Sequence, residues 1–323
     1  MSILKKFVEG TINIFGKLKV KVKNIISSIV EAARTISYVE TVSNKADTLH
    51  RHVKQVDERA LQRAFEFNTR KAIGRMGFGK TTLAVDTTSE LYYGKNGKLN
   101  VRQKKFEKGA DEAFTYVVLS VVKPKPLPLM ALPYRQGDDL TDLVKELLSY
   151  AKSLPIKIQC VLFDRGFYIG SLIAYLSSEK IKYLIFAPQN KKIRRYISQT
   201  KTIASFSHEM KYNKRKSYWK VQTRIVVIKD AMKDYHWCFA TNLRQSLYLI
   251  SKYKQRWQIE TDFRVHDEAR IKTKSNEPII RYFYFLTSLV LLANWEVNRI
   301  LHPEVCFKKY LKFVQEEFES EIT

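Results

Sequence analysis

The sequence predicts an α/β protein with a helical N-terminal region and a basic all-β stretch set into the second half of the chain. Strand-like and helix-like segments alternate from Thr81 to Pro188, which implies a sheet with some parallel pairing. Apolar residues fall at helical spacing before residue 75. Residues 190–244 read as successive strands and carry 14 Lys/Arg against 3 acids.

Residues 1–75 read as helices, with apolar residues at helical spacing in Ile25–Ala33 and Glu58–Phe67. Between them the pattern predicts a short helix around Ser37–Thr41, a tight turn at Ser43–Asn44 and a second helix over Lys45–Val53. Leu49, Val53 and Val56 then face inward, while Lys45, Thr48, His50, Arg51 and Lys54 point out. A DNA recognition helix is built this way, but so is any amphipathic helical hairpin, and on this segment alone the two readings stand level.

From Thr81 the texture changes. TTLAVD, TYVVLSVVK (115–123) and LPLMALPY (127–134) read as strands. An amphipathic helix follows over 138–154, opened by Asp138, Asp139 and Thr141 and closed before Pro155. Next come a buried strand (156–164), a helix (167–179) and a strand (181–188), then the basic stretch 190–244. Helices return after it. Tyr282–Trp295 is the longest apolar run, but its 14 residues, bracketed by Arg281 and Glu296, fall short of the ~20 a bilayer span needs. It reads as a buried core helix.

The chain has 323 residues, 45% of them hydrophobic, with a formal net charge of +25. That excludes disordered classes and points to a polyanionic partner, most simply nucleic acid. Cys160, Cys238 and Cys306 are far apart and form no CxxC pair, which excludes a disulfide scaffold or zinc ribbon and fits a reducing compartment. His50, His52, His208, His236, His266 and His302 are scattered, with no partner at metal-ligand spacing. The lysine-rich N-terminus lacks the uninterrupted apolar centre of a signal peptide and reads as a helical lead-in.

Gly74–Thr81 (GRMGFGKT) fits the P-loop pattern GxxxxGK[ST]. A P-loop needs a strand before its glycines and a helix after them, whose N–H groups hold phosphate. Here a helix precedes and a strand follows, so the segment reads as a flexible Gly-rich linker and no NTPase is expected.

Three carboxylates carry the chemistry. Asp86 ends TTLAVD, and Asp164 ends CVLFD, where Arg165-Gly166 turns the chain. Carboxyl ends of strands are where open α/β sheets place their sites, although either aspartate alone is better explained as a strand-end turn residue or helix cap. Glu260 lies in Tyr253-x-x-Arg256-x-x-x-Glu260, positions i, i+3 and i+7 of one helix, so the three share a face. Taken alone, Arg256 and Glu260 are an ordinary i,i+4 pair.

Together, Val85–Gly94 (VDTTSELYYG), Leu162–Tyr168 (LFDRGFY) and Tyr253–Glu260 (YKQRWQIE) resemble the DDE transposases of insertion sequences. The likeness is to the group with a Tyr/Arg/Glu/Lys signature helix and a β-rich insertion before the last acid, and 260–273 is similar to archaeal members. The signature lysine would fall at Asp267, with Arg264, Arg270 and Lys272 the nearest basic residues.

The resemblance implies a ribonuclease H-like mixed sheet in which Asp86, Asp164 and Glu260 bind two Mg²⁺ ions, with Mn²⁺ able to substitute. It implies a helix-turn-helix-like DNA-binding region at 1–75 and a catalytic core at 76–189 and 245–305. A basic β insertion spans 190–244 and a C-terminal tail 306–323. The implied partner is double-stranded DNA, both element ends and target site, with no membrane. A homodimer in a synaptic complex is the assembly such an activity suggests, in the cytoplasm and at the nucleoid. Tyr253 and Arg256 would contact DNA at the cut, and Lys45, Arg51, Lys54, Lys214, Arg215 and Lys216 would contact its backbone. The alternatives are a nuclease that never joins strands, and a non-catalytic helix-turn-helix regulator or decayed copy.

Tyr212, Tyr218, Trp219, Tyr235 and Trp237 are interleaved with the lysines and arginines of the insertion, as on a surface that tracks nucleic acid. Replacing Lys214, Arg215 and Lys216 together with Ala should weaken DNA binding and flatten its salt dependence by roughly one unit of slope per lost contact. Binding isotherms across a salt series measure this; unchanged affinity and slope would remove the triplet from the DNA surface.

Overall fold

The computed structural model describes residues 8, 22–93, 102–107, 109–214, 217–267 and 270–320. It opens with helices α1 (Val22–Thr35), α2 (Val39–Val42), α3 (Ala46–Val53) and α4 (Glu58–Met76). Helix α4 starts where the Asp57 carboxylate accepts the Ala60 N–H at 2.6 Å. It ends at Gly77, whose φ of 62° is the left-handed cap that glycine adopts without strain.

Strand β1 (Lys80–Tyr92) begins three residues after that cap. The P-loop-like segment is therefore a helix end and a strand start, with no helix N-terminus after it to hold phosphate. It is also a short ordered junction with Phe78 buried, not the flexible linker expected.

β1 is the hub of the sheet. Strands β2 (Arg102–Glu107), β3 (Ala110–Lys123) and β4 (Leu127–Pro133) follow, then α5 (Leu140–Lys152), β5 (Lys157–Phe163), α6 (Gly170–Ser178) and β6 (Tyr183–Phe186). β1 pairs antiparallel with β3, and β3 with β4, while β1–β5 and β5–β6 are parallel. Such a mixed sheet, with an antiparallel meander on one side of β1 and two parallel strands on the other, is ribonuclease H-like.

The stretch 190–244 departs from the all-β expectation at its start. Residues 191–198 form helix α7 (Lys191–Ser198), because the Asn190 side chain caps the N–H groups of Lys192 and Ile193 and turns the only buried residue, Ile193, inward. Strands β7 (Ile203–Lys214), β8 (Ser217–Asp230) and β9 (Tyr235–Thr241) then form a meander. They do not stand apart. β9 pairs antiparallel with β6, so the sheet continues to nine strands, in the order β2-β3-β1-β5-β6-β9-β8-β7 with β4 beside β3.

Alternation along the strands divides the buried residues between the two faces. Leu83, Val85, Val161, Phe163 and Ile185 join a large core with α5, α6 and the N-terminal helices. Ala84, Leu162, Leu184, Phe186 and Phe239 join a smaller one, covered by α8 (Tyr248–Lys254) and α9 (Trp257–Asp267).

Helix α10 (Pro278–Asn298) contains the apolar run and is buried along most of its length, as the sequence predicts. It packs against α3, α4, β4, α9 and α11 (Phe307–Ser320), and α11 also packs on α1. Among the described residues no helix is long and apolar enough to cross a membrane. On α10, Tyr282 donates to the Ala131 carbonyl at 2.6 Å, and Tyr284 is 3.0 Å from His50 Nε2. His50 is therefore a buried histidine and not the outward-facing residue expected, because the tyrosine hydroxyl facing it needs a partner.

The Phe285 ring stacks on Tyr116 at 4.0 Å between centroids, and both are at most 2% exposed. This contact ties α10 to β3. Phe285→Ala should lower unfolding free energy by about 3–5 kcal/mol, the range for truncating a buried aromatic. Urea denaturation measures it; a loss under about 1 kcal/mol would mean that α10 is not part of the cooperative core.

Candidate active site

The parallel register brings two of the predicted acids together. Val85 of β1 pairs with Phe163 of β5, so the next residues along each chain, Asp86 and Asp164, lie side by side where the parallel pairing ends. Asp164 follows the carboxyl end of β5, but Asp86 does not end its strand as TTLAVD suggests, because β1 runs on to Tyr92 against β3. Asp86 shares its face with Ala84, on the side covered by α8 and α9. Asp164 ends its strand because the chain turns at once, with the Phe167 N–H donating to the Asp164 carbonyl at 3.1 Å.

The third motif is not one helix. Its regular spacing predicts a continuous face, but the chain breaks between α8 and α9 at Gln255–Arg256. There the N–H groups of Arg256 and Ile259 donate to the carbonyls of Tyr253 and Arg256 at 2.9 Å each, an i to i+3 pattern tighter than an α-helix. Leu249, Tyr253 and Ile259 stay buried against the sheet across the break. Arg256 is thereby turned under the junction, where it is 5% exposed.

Arg256 links the acids. Its Nη1 donates to Asp86 Oδ2 at 2.7 Å, and its Nη2 donates to Glu260 Oε1. Asp86 Oδ1 accepts the Thr87 N–H at 2.8 Å. Tyr253 donates to Asp164 Oδ1 at 3.5 Å, with its ring stacked on Phe186. Tyr253 is 3% exposed, so the ring is not available to stack on DNA as expected. The surrounding Phe186, Trp237 and Phe239 have taken its faces, and what remains is a hydroxyl that orients Asp164. Burial raises the Tyr253 phenol above its ordinary value, so it stays a donor.

Burial dominates the electrostatics of Asp86. It raises the carboxyl from 3.8 to about 6, against the pull of Arg256 and the Thr87 N–H, while Asp164 and Glu260 add repulsion. The Arg256 guanidinium is held charged: burial opposes its charge, but Tyr253, Asp86 and Glu260 outweigh it. Glu260 is the open side of the site, its side chain 53% exposed against 13% for Asp86.

The donor set suits a hard divalent cation, because all three side chains offer only oxygen. A buried positive group already sits between two of them. Among the described residues no three His, Cys, Asp or Glu side chains converge on one point. Asp86 and Glu260 instead meet through the guanidinium.

The expected DNA-binding residues fall in different places. Lys45 and Arg51 are exposed on α3, and Lys54 is 3.7 Å from Glu277. Leu49 and Val53 anchor that helix in the first core, whereas the carboxylates lie over the second. The side chains of Lys214, Arg215 and Lys216 lie outside the described residues, as does that of Arg264. Arg270 is held by Glu90 at 3.2 Å, which commits it to the scaffold and leaves it a poor replacement for the signature lysine.

Two features escaped the sequence reading. Arg165, directly after Asp164, is exposed and lies over the Phe186 ring. Exposed Lys191, Lys192, Arg194 and Arg195 form a basic helix that follows the carboxyl end of β6. The four basic residues were legible as a cluster, but their helix and its place at the end of the sheet that carries Asp164 were not.

The raised Asp86 carboxyl has a consequence for stability. The folded protein keeps the proton up to about pH 6, the unfolded chain only to about 3.8, so stability falls as pH rises between these values and stays lower above them. Asparagine cannot ionise. Asp86→Asn should therefore be more stable than wild type at pH 8, by about 1–3 kcal/mol, and equal to it near pH 3.5. Denaturation curves at the two pH values measure the difference; a gap that is absent at pH 8 or reversed would mean that Asp86 ionises in the fold without cost.

Three comparisons bear on what the site belongs to. Residues 134–281 match the family model described as a transposase DDE domain, a segment that holds Asp164, Tyr253, Arg256 and Glu260 and begins after Asp86. No curated protein matches the sequence. Among solved structures the chain is similar to one described as a piggyBac transposase synaptic complex with hairpin DNA, determined by cryo-EM. The TM-score is 0.59 at 12% identity, over 98% of this chain and 77% of that one. At that identity the likeness speaks for the fold. Family segment, fold and motifs point the same way: residues 134–281 are similar to a transposase DDE domain, carried on a ribonuclease H-like sheet.

Proposed function

We propose that the protein binds the terminal inverted repeats of its own element, cleaves DNA strands by metal-assisted hydrolysis and joins the 3′ ends to target DNA. One observation carries the reading. Asp86, midway along β1, and Asp164, just past the end of β5, lie side by side where the parallel pairing of the two strands ends, with Glu260 tied to Asp86 through a buried arginine.

Asp86, Asp164 and Glu260 would hold two Mg²⁺ ions. When bound, such ions activate a water or 3′-hydroxyl and stabilise the leaving oxygen of an in-line displacement. The chain supplies the rest. Asp86 and Asp164 are fixed by strands, which gives them little freedom, and Tyr253 holds Asp164 in orientation. Glu260 comes from a helix on the open side and can follow the substrate. Arg165 and the basic face of α7 offer positive charge where a DNA backbone would enter. On the β7–β8 hairpin, Tyr218 and Trp219 are 82% and 52% exposed, which suits contact with nucleic acid further from the cut. The synaptic complex with hairpin DNA named for the similar structure is compatible with this reading.

Glu260→Gln keeps the size of the side chain but removes one negative charge from the donor set. It should bind terminal-repeat DNA like wild type and neither nick nor join it in Mg²⁺ or Mn²⁺. Asp86→Asn and Asp164→Asn should behave alike, and because the three act as a unit a double variant should be no worse than either single. Gel assays of binding, nicking and joining separate the outcomes. Nicking at wild-type rate by Glu260→Gln would show the third acid to be misassigned. A wild type that nicks without joining is a nuclease, and one that binds ends without cutting is a regulator or a decayed copy.

A further inference from the structure

Arg256 stands where a cation is expected. Its guanidinium lies between two of the three acids and is 5% exposed. An arginine placed only to brace a fold normally spends its donors, since an unpaired buried N–H is costly. Here Nε is buried and has no hydrogen-bond partner among the described residues. One of its two carboxylate contacts is to Glu260, whose side chain is half exposed and so open to exchange with solvent or a ligand. The bridge is thus buried at Asp86, open to solvent at Glu260 and incomplete at Nε.

The charges explain why a bridge is present. Asp86, Asp164 and Glu260 repel one another, and burial makes ionised Asp86 costly without a positive partner. A monovalent guanidinium meets that need in part. A divalent ion taking the same carboxylate oxygens meets it more fully, but the two cannot both hold Asp86 Oδ2.

We propose that Arg256 is the resident counter-ion of the metal-free site, bridging Asp86 and Glu260 until a divalent cation displaces it. The inference rests on the nuclease reading of the triad and adds to it a competition between one of the chain's own side chains and the metal. Displacement frees a planar, doubly donating fork beside the carboxylates, suited to a phosphate of the bound strand. Metal entry and phosphate binding are then linked, and by reciprocity each strengthens the other. Arg256 is in this sense a positioning residue: it keeps the site assembled and weakens metal binding until DNA is present.

The test is Mn²⁺ binding to the full-length protein without DNA, followed by electron paramagnetic resonance at pH 8.5 so that Asp86 is ionised. Apparent affinity falls by the fraction of molecules whose site is open, so a bridge present in about nine-tenths of them weakens binding about tenfold. Arg256→Gln should bind Mn²⁺ about tenfold tighter than wild type. In chelator its melting temperature should lie below wild type, and added Mg²⁺ should raise it more than it raises that of wild type. A short duplex should tighten Mn²⁺ binding to wild type and leave Arg256→Gln unchanged. Arg256→Lys, charged but unable to bridge two carboxylates, should fall between the two and serves if the glutamine variant does not fold. A folded variant that binds Mn²⁺ no tighter than wild type overturns the inference and makes Arg256 a structural clip. If wild-type Mn²⁺ binding is absent, or survives Asp86→Asn and Asp164→Asn, the triad is not a metal site, and the reading of the activity falls with the inference.

Discussion

The parallel pairing of β1 with β5 is the constraint from which the rest of the site follows. Antiparallel neighbours would place the end of one strand beside the start of the next. The parallel register sets Val85 beside Phe163 with both chains running the same way, so that Asp86, midway along β1, and Asp164, just past β5, meet. Parallel strands need a crossover between them, and here the chain from β1 to β5 contains both the β3–β4 meander and α5. The long antiparallel ladder of β1 with β3 holds β1 in register along nearly its whole length. A one-residue slip would move Asp86 to the opposite face, under α5 and away from Arg256.

The site is therefore rigid on one side and adjustable on the other. Asp86 and Asp164 belong to the sheet, and the sheet is buried on both faces. Glu260, Arg256 and Tyr253 arrive on two short helices joined by a break. That break does what a straight helix would not: it lets Tyr253 and Ile259 stay in the second core while Arg256 turns beneath them toward Asp86. Burying an arginine there costs solvation, which its ion pairs offset only in part. The raised carboxyl of Asp86 shows how narrow that balance is.

How much of this was legible in the sequence differs by residue. Period-two alternation in TTLAVD placed Asp86 on the face of Ala84, and the turn residues after Asp164 placed it at a strand end; the sheet has both. The helix–strand order around Gly74–Thr81 dismissed a P-loop, and the structure has that order, although the junction is ordered. Alternation does not reveal which strands pair, so the continuity of β7–β9 with β6 was not legible. Nor was the break at Gln255–Arg256, since Tyr253, Arg256 and Glu260 keep helical spacing across it and no Gly or Pro marks it. His50 was read as outward because it is polar, and only its distant partner Tyr284 explains its burial. Residues 191–198 were read as strand because their charge hid a single inward residue, Ile193, and the Asn190 cap.

The position of α7 also bears on how the charge is used. A net charge of +25 would draw DNA to many parts of the surface, and attraction alone aligns nothing. Alignment needs positive groups held at fixed positions relative to the carboxylates. Arg165 is one, placed next to Asp164 and resting on the Phe186 ring that also packs against Tyr253. The α7 residues are others, fixed by the Asn190 cap and by Ile193, and carried on the chain that leaves β6 at the end of the sheet that carries Asp164. The same aromatic cluster thus sets the orientation of an exposed guanidinium and of the tyrosine that holds Asp164. A phosphate backbone docking against Arg165 would be registered through Phe186 to the carboxylates, which is how a sequence-independent contact can fix where a strand is cut.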